Sequence, residues 1–202
     1  MDERNTIHRI IDREAEAIKA IPNNDLTFHD VQLLIHDRVH CMGNKVITSG
    51  MGKAGQIAMN IATTLNSTGT PAVFLHPADA QHGDLGVIQD GDVLLCISNS
   101  GETREILELI ELKDKLHQKG YVPVVVITGN IKSSLAKLAR HVLWTGLVEE
   151  VCPLGLTPTA STTVMNVMGD ILVVLLMEET KFTKQDYALR HHGGYLGKKA
   201  RT

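Results

Sequence analysis

The residues able to do chemistry fall in short segments that follow apolar runs. Ser49-Gly50-Met51-Gly52-Lys53-Ala54-Gly55 joins three glycines, a hydroxyl and a lysine. Glycines there let a backbone turn tightly and approach a ligand, with a helix N-terminus behind them. They spell G-x-G-x-x-G, a weak match on its own. A dinucleotide site would want an acidic residue after the second apolar run, which ends in His76-Pro77 instead. A P-loop is excluded too, because no Gly-Lys-Ser/Thr follows at the right spacing. Lys53 could be an ordinary surface lysine, but its place inside a glycine turn at a strand end favours a functional role. The third run ends in Ser98-Asn99-Ser100-Gly101-Glu102-Thr103, directly before a helical stretch. One hydroxyl would suffice as an N-cap. Ser98, Ser100 and Thr103 together read as a phosphate cradle, where hydroxyls and free N–H groups donate and the helix dipole favours an anion.

Four further segments carry titratable groups. His82 sits in Ala80-Gln81-His82-Gly83-Asp84-Leu85-Gly86, among residues that break regular structure. A loop histidine is usually solvated and idle. Glu105 falls in the first turn behind the cradle, where simple dipole complementation would also explain it. Glu149 and Glu150 precede Val151-Cys152-Pro153 and read either as a solvated pair or as an acid–base site. His191-His192-Gly193-Gly194 offers tandem histidines, either as tail residues or as ligands for a stray metal.

These segments need a scaffold. Four aliphatic runs, at 45–48, 72–75, 93–98 and 122–128, and a weaker fifth at His141–Trp144 alternate with helical stretches near 54–66, 103–117 and 133–139. Such alternation predicts an α/β fold: a doubly wound five-stranded parallel sheet flanked by helices. Ligands bind such sheets beyond the carboxyl ends of the strands, which is where the segments above fall. An amphipathic helix is expected over 4–20, and a second helix capped by Thr27. An irregular stretch at 145–158 leads into a long apolar helix, 160–178, buried nearly all round. A short helix is expected near 183–189.

The 202 residues suit one domain, with N-terminal helices over 1–40 and an α/β core over 41–202. Net charge is −3 and aromatics are 3%, which argues against a nucleic-acid or anionic-membrane partner. Three cysteines without a Cys-x-x-Cys pair suggest neither a disulfide framework nor a zinc ribbon, and Cys96 reads as a core residue. No uninterrupted apolar stretch of membrane-spanning length and no signal-peptide pattern is evident, so the expected location is cytoplasmic.

Taken in order, these segments resemble the sugar isomerase (SIS) domain, a flavodoxin/Rossmann-like fold marked by the Ser98–Thr103 run. They are more narrowly similar to the arabinose 5-phosphate isomerase family, which supplies the precursor of the sugar acid Kdo for lipopolysaccharide or capsule. The pieces carrying this narrower likeness are 49–55, 82–86, 149–153, 158–163, Met168-Gly169-Asp170 and 191–197. The resemblance implies interconversion of D-arabinose 5-phosphate and D-ribulose 5-phosphate. Its catalytic positions fall on Lys53, His82, Glu105, Glu150 and His191. Its phosphate-binding positions fall on Ser49, Gly50, Ser98, Ser100 and Thr103. It also implies a homotetramer whose active sites combine residues of more than one subunit, in the form lacking CBS modules. Many relatives have His-Pro where this chain has His191-His192, and alignment on Gly194 and Gly197 selects His191.

An isomerisation of this kind needs a phosphate anchor, ring opening, a proton carrier between C2 and C1, and stabilisation of the enediol charge. Glu150 is expected to carry the proton, with a pKa raised by burial, and Glu105 to orient it. His191 or His82 would serve ring opening and Lys53 the developing charge. The scheme requires no cofactor. His76, His82, His191 and His192 could capture an inhibitory zinc ion. CMP-activated Kdo is expected as a feedback ligand in the same cleft. The alternatives are an SIS isomerase for another sugar phosphate, such as a 3-hexulose 6-phosphate, or a non-catalytic sugar-phosphate sensor.

Overall fold

The computed structural model describes residues 3–118 and 120–201. Helices α1 (Glu3–Lys19) and α2 (Asp25–Ile35) come first, and α2 runs on into a π-helical turn at His36–Cys41. Thr27 is not the cap of α2, which starts two residues before it. The Asn24 amide decides this start. It donates to Pro22 O (2.7 Å) and Trp144 O (2.9 Å) and accepts from Trp144 N (3.1 Å). It thereby pairs with the backbone of edge strand 141–144 on the side away from the rest of the sheet.

The core continues through β1 (Val46–Gly50), α3 (Gly52–Ser67), β2 (Ala72–Phe74), α4 (Pro77–Ala80) and a 3₁₀ turn (Asp84–Val87). It goes on through β3 (Val93–Ile97), α5 (Arg104–Leu116), β4 (Val124–Thr128), α6 (Ser134–Leu138) and β5 (His141–Trp144). Helices α7 (Ala160–Glu179), α8 (Lys184–Arg190) and α9 (Gly194–Ala200) follow. The five strands are parallel, in the order β2-β1-β3-β4-β5. This is the doubly wound sheet expected from the alternation of apolar runs and helices. The sequence reading takes 191–197 as tail and contains no α9, α4 or π turn.

Side-chain alternation divides the core into two halves. Val46, Val93, Leu95, Ile97, Val125 and Ile127 face a layer built on α2, α3 and α7. Ile47, Leu94, Cys96, Val124 and Val126 face the opposite layer, which includes α5 and α6. Because every central strand is covered on both faces, its residues must all be apolar or hydrogen-bonded. Burial pushes the Cys96 thiol up to about 12, as befits a core residue.

Helix α7 has the length and hydropathy to cross a membrane, yet half of it is buried in the fold. It lies alongside α3. Asn60 Nδ2 donates to Asn166 Oδ1 (2.7 Å), and a Cβ at Gly169 would sit 2.5 Å from the Ile61 side chain. Past the ends of both helices, a Cβ at Gly69 would meet the Phe182 ring at 3.0 Å. The two helices therefore run parallel, with axes about 8–10 Å apart, and start at the same edge of the sheet.

Gly169 is the point of closest approach. We expect Gly169→Ala to cost roughly 1–3 kcal/mol by overpacking against buried Ile61. Adding Ile61→Val should recover part of that loss in denaturant titrations.

Candidate functional site

All five strands are parallel, so the loops after them leave from one edge. Lys53, His82, the 98–103 loop and Glu150 all lie on that carboxyl edge. The three glycines of the first loop do different jobs. A Cβ on Gly50 would sit 2.8 Å from Ala54 O, and one on Gly55 would sit 2.6 Å from Gly50 O. These two glycines let α3 pack directly on the end of β1. Gly52 has φ +56 with open space around it, which turns the chain and leaves exposed Lys53 in the first turn of α3. Gly50, expected at the phosphate, is thus buried in the strand–helix contact. Ser49, the other residue of this turn expected near the phosphate, is engaged within the fold. It is fully buried, and its hydroxyl donates to Leu75 O (2.7 Å), so it secures the strand that leads to the His82 loop.

The 98–103 loop forms a tight cup. The Ser98 and Thr103 hydroxyls share a hydrogen bond of 2.8 Å, and Gly101 N–H donates to Ser98 Oγ (3.1 Å). Gly101 has φ +65, and a Cβ there would overlap Ser133 Oγ, so only glycine fits. Thr103 is the N-cap of α5, yet its side chain makes no cap hydrogen bond. The first N–H groups of α5 have no intrahelical acceptor. They remain available to an external anion, with exposed Ser100 beside them. Glu102 turns away. The Ser134 hydroxyl and amide hold its carboxyl below the usual range, which ties the loop to α6.

Glu105 is half-buried in the first turn of α5. The His82 segment lies over the same helix, because Gln81 Nε2 donates to Glu108 Oε2 (2.7 Å) and Leu85 and Val87 pack on the α5 side of the core. His82 itself is exposed.

Glu150 is the most structured of the candidates. Thr159 N–H (2.7 Å), Thr159 Oγ1 (2.9 Å) and Ser161 N–H (3.3 Å) donate to its Oε2, and the Ser161 hydroxyl donates to its Oε1. Thr159 is the N-cap of α7 but makes no side-chain cap bond, so the Glu150 carboxylate fills that place. Burial pushes this carboxyl up, but the Ser161 and Thr159 donors together outweigh burial and leave it below the usual range. The expectation of a raised pKa is therefore overturned: the donors stabilise the charged form more than burial penalises it. Arg13 of α1 braces the loop, donating to Glu150 O (3.3 Å) and pairing with Glu149 (3.6 Å). Two residues on, the Thr157 amide leads several backbone donors in holding the Cys152 thiol down at about 7. Because α7 starts beside α3, Glu150 and Lys53 belong to one neighbourhood.

His191 does not join them within one chain. Arg190 packs at Gly69, beyond the far end of α3. That helix rises over 16 residues, on the order of 24 Å. The His191 ring stacks on Tyr187 (3.7 Å between centroids, 7° between planes), and its Nδ1–H donates to Tyr187 O (3.0 Å). A Cβ on Gly197 would overlap His191 O, which explains the glycine at that spacing. His192 is exposed and is engaged through its carbonyl, which accepts from Arg201. The expected zinc set of His76, His82, His191 and His192 is not assembled. Among the described residues, no three His, Cys, Asp or Glu side chains come together to hold a metal. His191 and His192 lie at the opposite end of the sheet from the His82 loop.

Sequence reasoning missed Arg13, Gln81, Thr159 and Ser161. The 158–163 run carries part of the family likeness, but no spacing rule links Thr159 and Ser161 to a glutamate nine or more residues earlier.

The SIS domain model matches residues 42–175. A crystal structure from Bacteroides fragilis, described as a candidate phosphosugar isomerase involved in capsule formation, is 53% identical with TM-score 0.92. The alignment covers 96% of this chain and 99% of that one. An Escherichia coli protein solved in complex with arabinose 5-phosphate is 34% identical with TM-score 0.83, covering 95% of this chain and all of that one. Escherichia coli arabinose 5-phosphate isomerase KdsD is 50% identical over 159 residues, which are 79% of this chain and 47% of KdsD. The chain thus spans about half the length of the curated relatives it matches. With the family model covering most of the sheet and its helices, the chain belongs to the SIS-domain family.

Proposed function

We propose that this chain is an aldose–ketose isomerase that interconverts D-arabinose 5-phosphate and D-ribulose 5-phosphate and so supplies Kdo for lipopolysaccharide or capsule. One observation carries the reading. A hydroxyl-lined cup with free helix donors shares an edge of the sheet with a lysine and an ionised, hydrogen-bonded glutamate. The relative solved with arabinose 5-phosphate and the KdsD relatives support the choice of sugar.

The sugar phosphate sits with its phosphate on Ser98, Ser100, Thr103 and the first N–H groups of α5. His82 or His191 assists ring opening. Glu150 takes the C2 proton as the C1–C2 double bond forms and charge moves to O1. O1 gains a proton, O2 loses one, and Glu150 returns its own proton to C1. A carboxylate so well supplied with donors is a modest base. The pull on the C2 proton therefore comes from charge stabilisation at the enediolate, which Lys53 supplies. Glu105 orients the reacting end. The scheme uses no cofactor.

The assembly in this reading is a homotetramer in the cytoplasm, organised as one SIS unit. The Glu150 loop exposes Leu147 (92%), Leu154 (76%) and Leu156 (77%), and the tail exposes Leu189 (69%) and Tyr195 (76%). Setting the tail of one copy against the Glu150 edge of another would cover both patches and deliver His191 to the site. CMP-activated Kdo would compete in the same cleft.

Four measurements follow. Incubation with arabinose 5-phosphate should form ketose, whereas ribose 5-phosphate and glucosamine 6-phosphate should not react. Turnover of either of the latter instead would reassign the substrate. Lys53→Ala should lower kcat/KM by about 10²–10³-fold. Mixing inactive Glu150→Gln and His191→Ala subunits should restore partial activity, and no recovery after subunit exchange would show that His191 does not act across the interface. Saturating CMP-Kdo should raise the melting temperature, and an unchanged melt would remove the feedback idea.

A further inference from the structure

The two oxygens of Glu150 are held unequally. A carboxylate offers about four lone-pair sites. Oε2 already receives three donors, two of them backbone N–H groups that cannot rotate away. Oε1 receives the Ser161 hydroxyl. Thr159 is itself fixed, because its Oγ1 accepts from Val151 N–H (3.1 Å) while donating to Oε2. Ser161 is 1% exposed, so its hydroxyl has no solvent alternative to Glu150.

Resting on the isomerase reading above, we propose that Thr159 and Ser161 are positioning residues that divide the work of Glu150. Oε2 is pinned at the N-terminus of α7, and Oε1 is the oxygen that takes and returns the substrate proton. Protonating Oε1 displaces no donor, because the Ser161 hydroxyl can keep one lone pair while the proton takes the other. Protonating Oε2 would break a backbone or threonine hydrogen bond in a half-buried site.

The charged and titratable groups around Glu150 leave this assignment intact. Arg13 from α1 is directed at the Glu150 carbonyl and at Glu149, not at the Glu150 carboxylate. Cys152 is held by the backbone of its own loop. The donors that favour the carboxylate are those of Thr159 and Ser161. The same arrangement makes Glu150 the cap of a helix of 20 residues, so its charge also meets the positive end of the α7 dipole.

The test is the pH dependence of kcat/KM. In the native chain Glu150 stays ionised into the acid range, so the acid limb of the profile should lie low. Ser161→Ala and Thr159→Val each remove a donor to the carboxylate. The carboxyl then protonates at higher pH, and each variant should lift the acid limb by about one pH unit. Thr159→Val should also lower kcat about tenfold with little change in KM, because Oε2 loses its one side-chain donor and is held by the two backbone N–H groups alone. Thr159→Ser, which keeps the hydroxyl, should return the limb to its native position. A merely structural role would lower activity evenly across pH and leave the limb in place. If buried Ser161→Ala fails to fold, the half-exposed Thr159 pair of variants decides the matter alone.

A second readout needs no substrate. In protein labelled with ¹³C at the glutamate carboxyls, with Glu150 assigned by Glu150→Gln, the Glu150 midpoint should rise in both donor variants. An unmoved midpoint and an unmoved acid limb in folded variants would overturn the proposal. A native chain inert toward every sugar phosphate would overturn the isomerase reading instead, while the carboxyl titration would still report on the hydrogen bonds.

Discussion

Parallel strands impose a directional constraint on everything packed against them. Each strand ends at one edge, and the helix that follows starts there, with its unsatisfied N–H groups and its positive dipole end facing that edge. Helices α3, α5 and α7 all start at the carboxyl edge of this sheet. The site is built by giving those ends different tasks. The start of α5 carries no side-chain cap, which leaves its first N–H groups without an acceptor in the helix. The start of α7 is taken by an internal anion, Glu150. The start of α3 carries a lysine where a carboxylate would complement the dipole better. A cation placed there makes sense only if negative charge gathers nearby, and Glu150 together with a bound phosphosugar would supply it.

Close backbone contacts set the positions of these ends. Gly50 and Gly55 bring α3 onto β1, Gly101 brings the 98–103 loop onto Ser133, and Gly169 brings α7 onto α3. None of these glycines needs to touch a ligand to matter. Each removes a methyl group that would push a helix start away from the edge by more than a hydrogen bond tolerates. The G-x-G-x-x-G pattern is thus a packing device with one left-handed turn at its centre, Gly52.

A single chain does not enclose the site. Lys53 and His82 are exposed, the Glu150 loop presents leucines to solvent, and the anchored His191 ring lies a helix length away. In the proposed assembly a second copy would cover this apolar surface. The His191 ring is already fixed by stacking and by the Tyr187 carbonyl, so it could be presented to a neighbouring copy with little further ordering.

The sequence alone determined the layers and the edge. The apolar runs of β3 and β4, and the shorter Val46-Ile47 run that opens β1, read as strands buried on both faces, and the loops after them carry the chemistry where the strands end. Local pattern was enough because it reports burial and chain direction, which are properties of neighbouring residues. It was not enough for Thr27, displaced as a cap by an Asn24–Trp144 contact spanning 120 positions. Nor did it place Ser49, whose hydroxyl belongs to Leu75. Burial and hydrogen bonding act on Glu150 with opposite signs, and residue type shows neither. Only the folded chain, by bringing Thr159 and Ser161 to that carboxylate and carrying His191 to the far edge, decided which groups meet. Those meetings depend on where helices cross in space, which no spacing along the chain encodes.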